Sequence, residues 1–137
     1  MISPVTVQTL KSLFFNEPSA SAFVILDGAS VSDLPAHLAS FNPQRICLHR
    51  GELEPDMAEV APYLAILEHD APFTDWVFSH GWGNHWGIFG VAQAELPALR
   101  NHFRSFLRVP DETGRSLYFR YYDPRVWRDY LPEGTAD

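Results

Sequence analysis

The amino-acid sequence predicts an α/β fold, a single domain with a mixed β-sheet of about four to five strands flanked by helices. Three observations carry this expectation. Short apolar runs of strand length recur along the chain, each closed by turn residues. Between them lie stretches whose apolar residues repeat at helical spacing, several with proline near the start. The 137 residues, 46% apolar and 20% charged, suffice for one domain with its own core and leave too little for two.

Taken in order, Val5, Val7, Leu10, Leu13 and Phe14 form an imperfect helical stripe that Asn16-Glu17-Pro18 stops. Phe23-Val24-Ile25-Leu26 reads as a buried strand closed by Asp27-Gly28. Ser32 to Phe41 is a short helix with Pro35 in its first turn, Leu34, Leu38 and Phe41 inward and Asn42-Pro43 as its stop. Arg45 to His49 is a second strand, the acidic stretch to Glu59 a loop or ragged turn, and Tyr63 to Leu67 a third strand. Pro72 to His80 is helical, with Phe73, Trp76 and Val77 on one face, until Gly81 and Gly83 break it. Trp86 to Ala92 is β-like, its Gly87 and Gly90 marking a bulge or a close backbone approach. Glu95 to Arg108 is the clearest amphipathic signal: Leu96, Leu99, Phe103, Phe106 and Leu107 form its buried stripe, and Arg100, Arg104 and Arg108 a basic rail beside it. Asp111 to Gly114 turns the chain, Leu117 to Tyr122 is a final strand, and Pro124 to Leu131 a last short helix.

Composition excludes several function classes. The net charge of −7 argues against general nucleic-acid binding, which needs bases to displace phosphate counterions. One cysteine, Cys47, precludes an internal disulfide or a multi-cysteine metal site and suits a reducing compartment. Met1 to Pro18 lacks the pattern of a signal peptide, and the longest strictly apolar run is far shorter than a bilayer span, so the expected location is the cytoplasm with no membrane partner. The charge is also unevenly placed. Residues 1–99 carry 11 acids against three bases, whereas seven arginines between 100 and 128 face three acids. Nine of the ten bases are arginine, the cation best suited to paired hydrogen bonds with carboxylates and to aromatic stacking. One reading makes these sections neighbours that neutralise each other; the other makes them two contact surfaces, the arginines on one and the acidic 52–75 segment on the other.

Catalytic and metal signals are weak. His80 and His85 around Gly81-Trp82-Gly83-Asn84, and Cys47-Leu48-His49, match no familiar zinc spacing, so no metal or cofactor is expected. There is no Gly-x-Ser-x-Gly elbow and no phosphate loop. Asp27 ends a strand where α/β proteins often place working groups, although Asp-Gly there is also an ordinary turn. A small hydrolase or transferase using Asp27 with His80 or His85 is therefore one alternative, and a small-molecule module closed by a Trp82/Trp86 loop is another. Trp82 and Trp86, in a segment rich in glycine, are either exposed interface anchors or plugs of the core. The most specific stretch is Tyr118-Phe119-Arg120-Tyr121-Tyr122-Asp123-Pro124-Arg125. Asp123 and Pro124 suit a helix start, and two arginines lie among aromatic residues.

The run from Phe119 to Arg125, together with Pro62-Tyr63-Leu64, Leu26-Asp27-Gly28-Ala29 and Trp86-Gly87, resembles the adaptor or effector-chaperone domain of bacterial type VI secretion. That family is long catalogued as a domain of unknown function and typically encoded between a VgrG spike protein and its toxic effector. The order and spacing agree across nearly the whole chain. The resemblance implies a non-enzymatic protein that binds a cognate effector in the cytoplasm and loads it on VgrG. It also implies that residues 1–137 form the N-terminal lobe, without the helical second lobe common in the family. Arg100, Arg104, Arg108, Arg120, Tyr122, Asp123, Arg125, Trp82 and Trp86 are the expected partner-binding residues.

Overall fold

The computed structural model describes residues 1–110, 116–118 and 122. Its centre is a four-stranded sheet in the order β2-β3-β1-β4, from Ser21–Asp27 (β1), Arg45–Cys47 (β2), Pro62–Leu67 (β3) and Gly87–Ala92 (β4). Every pairing is antiparallel, so the α/β class holds while the sheet is not of mixed direction. The alternation of helix and strand, which commonly signals parallel crossovers, here serves long antiparallel connections. Strand β1 is buried on both faces, as its unbroken apolar run requires.

Helices α1 (Pro4–Phe14), α2 (Leu34–Phe41) and α4 (Pro72–Trp76) cover one face, packing Val7, Leu10, Leu34, Leu38 and Phe73 on Ala22, Val24 and Leu26. Proline stands at the start of each, where its missing N–H is no loss. A π-helical turn, Val77–Gly81, continues α4 and buries Val77 and Phe78. The other face carries α5 (Leu96–Arg104), whose Leu99 meets Phe23, Ile25 and Leu64. A two-stranded hairpin follows, Arg108–Pro110 (β5) against Ser116–Tyr118 (β6), and the expected final helix lies outside the described residues.

Two further expectations change. The acidic stretch holds a helix, α3 (Pro55–Val60), started by Pro55 and favoured by Asp56 in its first turn. In α1, Val5 and Leu13 face solvent, while Lys11 is buried at 6% exposure and meets Asp75 of α4 at 2.6 Å. The stripe turns toward Lys11 because α4 supplies its carboxylate there.

Candidate partner-binding surface

Helix α5 ends at Arg104, where the N–H of Ser105 bonds back to the Asn101 and His102 carbonyls and that of Leu107 to Arg104. Two residues beyond Arg108 stands Pro110, which cannot continue a helix and biases Val109 to extended backbone. Arg108 therefore begins β5, and the rail of Arg100, Arg104 and Arg108 along one helix is not formed. Arg120, Asp123 and Arg125 lie outside the described residues.

Arg104 is committed more firmly than a surface rail residue. Its Nε donates to the Leu48 carbonyl at 3.0 Å and its Nη2 to the Cys47 carbonyl at 2.9 Å, where edge strand β2 ends. Burial, and then the nearby guanidiniums of Arg100 and Arg50, pull Arg104 below the ordinary arginine value, though it stays protonated at any working pH. Beside it opens a cavity of about 760 Å³ lined by Ala29, Leu48, His49, Arg50, Leu53, Met57, Val60, Arg104, Leu107 and Tyr122. Tyr122 is buried there with Leu48, Leu64, Leu99 and Leu107.

The side of α3 that meets the cavity follows from helical spacing. Leu53, Met57 and Val60 recur at intervals of four and three and line it, whereas Glu52, Glu54, Asp56 and Glu59 are exposed and do not. The acidic and basic sections are thus neighbours at this end of the molecule without neutralising each other: among the described residues, no acid from Glu52 to Glu59 lies within ion-pair distance of an arginine. The acidic 52–75 segment is not a single surface, since Asp75 serves Lys11 and Asp70 meets His69 at 2.8 Å. Arg50, Met57 and Val60 went unnoticed in the sequence, although the spacing 53, 57, 60 inside an acidic stretch was the available signal.

The two tryptophans divide the roles left open for them. Trp86 plugs the core edge: its ring lies 4.8 Å from Trp76 and stacks on His80, and a Cβ on Gly81 would come within 2.7 Å of it. Trp76 in turn meets His37 and Phe41. Trp82 is 37% exposed, set edge-on to Phe14 at 6.0 Å and tilted on Phe89 at 5.1 Å. With Phe14, His85, Ile88 and Phe89 it borders a second cavity of about 520 Å³.

A family model described as "Domain of unknown function (DUF4123)" matches residues 22–137, from β1 through the Phe119 to Arg125 run. The chain belongs to this family. No curated protein and no solved structure matches it.

In this DUF4123 domain Asp27, one of the residues weighed for catalysis, serves a turn. Asp27 is fully buried, its two carboxylate oxygens accepting from the Ala29 N–H and the Ser30 hydroxyl at 3.0 Å each. That geometry closes the turn after β1. The Cys47 thiol is pushed above its ordinary value by burial, which the His49 backbone and Arg104 only partly offset. Among the described residues, no three His, Cys, Asp or Glu side chains gather as a metal site, and no helix is long and apolar enough to cross a membrane.

Proposed function

We propose that this protein is a non-enzymatic adaptor that binds a cognate type VI secretion effector in the cytoplasm and hands it to the VgrG spike. The observation that carries the reading is the membership of residues 22–137 in the DUF4123 family, joined to the resemblance of its Phe119 to Arg125 run to the secretion adaptors. The described surface supports it: an apolar cavity edged by arginines is the make-up of a protein-binding patch, and the buried carboxylate of Asp27 is occupied by its own turn. The test is co-expression of the tagged protein with whatever effector and VgrG genes lie beside its own. The effector is expected to co-purify, and VgrG to join only when the effector is present. Failure of the effector to co-purify with well-folded protein would sink the adaptor reading.

A second reading, a small-molecule module, draws on the cavity beside Trp82. Trp86 is wedged against Trp76 and Gly81, so only the Trp82 side of the loop is placed to close over a ligand. Quenching of Trp82 fluorescence by a metabolite library, in protein that captures no effector, would favour it.

A further inference from the structure

Resting on the adaptor reading, we propose that the cavity between α3, α5 and the end of β2 seats an apolar segment of the partner polypeptide, anchored by an Asp or Glu carboxylate on Arg104 and Arg50. The first ground is the fixed geometry of Arg104. Two of its five N–H donors hold the Cys47 and Leu48 carbonyls, which lock the guanidinium in place and leave three donors. A guanidinium so oriented loses little freedom when a carboxylate arrives, and paired N–H···O bonds to a carboxylate are among the strong ones.

The second ground is charge. Arg104 has Arg100 and Arg50 as electrostatic neighbours, and among the described residues no Asp or Glu lines the cavity or lies within 4.0 Å of any of the three. Among the described residues this half-buried cation beside like charges has no carboxylate partner, and its complement is an anion. The third ground is the apolar surround. Ala29, Leu48, Leu53 and Leu107 line the cavity with Met57 and Val60, and the last two remain 49% and 46% exposed. The apolar surface therefore runs outward past the cavity mouth, where a chain segment would continue and a small carboxylic acid would end. Met57, flexible and polarizable, suits an adaptable groove of this kind.

The experiment uses full-length protein labelled at Met methyl groups and arginine Nε, titrated with overlapping synthetic peptides spanning the co-encoded effector. The peptide that binds is expected to shift the Met57 methyl and Arg104 Nε–Hε resonances together. Replacing its acidic residue by the amide should weaken it about tenfold, the worth of one charge-assisted hydrogen bond. Since Arg104→Gln frees the Cys47 and Leu48 carbonyls and can unfold the edge, Arg50→Glu and Met57→Asp carry the test in the intact protein. Both are exposed positions and should leave the melting temperature unchanged while effector capture falls by about tenfold. Capture of the effector undiminished in both variants overturns this inference and leaves the adaptor reading standing; loss of capture in the wild type refutes the adaptor reading itself. The inference also fails if the amide peptide binds equally well, if shifts fall on Trp82 instead, if dodecanoate shifts these resonances when no peptide does, or if Met57→Asp merely abolishes self-association.

Discussion

The two faces of the sheet are built to different ends. Under α1, α2 and α4, rings interlock: Phe14 meets Phe78 and Phe89, Phe41 meets Phe73 and Trp76, and Trp76 meets Trp86. Among the described residues, the face under α5 holds fewer buried side chains and leaves a largely apolar cavity edged by Arg50 and Arg104. Dense aromatic packing resists change of volume, so the first face bears the stability. The second exposes cations and apolar side chains that nothing described covers, as a recognition surface requires. The difference teaches that substitutions on the two faces should separate folding from capture.

The largest expected effect lies on the aromatic face. Phe78 is fully buried in the π-helical turn, and Phe78→Ala should cost about 4 kcal/mol in urea unfolding, with effector capture per folded molecule unchanged. A loss below about 1 kcal/mol would mean this face is not the stabilising one. Next comes Gly87→Ala. A Cβ there would sit 1.9 Å from the Ile25 carbonyl oxygen, so β4 must move off β1, at about 3 kcal/mol by the same measurement. Asp75→Asn should cost about 1 kcal/mol, because buried Lys11 loses its carboxylate while Asp75 itself is half exposed. Val60→Asp on the cavity face should alter stability by no more than about 0.5 kcal/mol yet impair capture. Equal capture by the Val60→Asp protein would erase the functional half of the contrast.

Much of the aromatic face was legible in the sequence, and the reason is local. Apolar runs with turn residues marked β1, β3 and β4, and prolines marked the starts of α2, α4 and α5. The close approach at Gly87 was expected from a glycine inside a strand pattern. The cavity face was read less well, because its features depend on distant partners. Helix α3 buries no residue completely, so its short apolar pattern was outweighed by four acids. The end of α5 is decided by Pro110 and the pairing of β5 with β6, so a helical count through Arg108 overran. Arg104 looked like one member of a basic rail, whereas contacts with residues more than fifty positions away make it a clamp on β2. Strand direction was equally hidden, since the connections alone admit parallel and antiparallel returns.

The smallest effect probes the border where Arg104 reaches the sheet. Burial lifts the Cys47 thiol above its ordinary value, and Arg104 holds it down in part. Folded protein therefore keeps the thiol proton more tightly than unfolded chain. The stability linked to that proton is fully present below about pH 8.5, where the unfolded thiol titrates, and is lost as pH rises through the folded value. The Tyr63 phenol, raised by burial and by Cys47, adds a loss of the same sign at higher pH. Between pH 7 and 10 the urea midpoint of the wild type should thus fall further than that of Cys47→Ser, which keeps Tyr63 but has no thiol. Iodoacetamide at pH 8 should modify Cys47 more slowly than a free thiol, and more slowly still in Arg104→Gln if that protein folds, because the guanidinium no longer favours the thiolate. An Arg104→Gln protein that folds and reacts as fast as the wild type would mean that Arg104 does not stay on its carbonyls. The cavity face would then lack the fixed cation on which its contrast with the aromatic face depends.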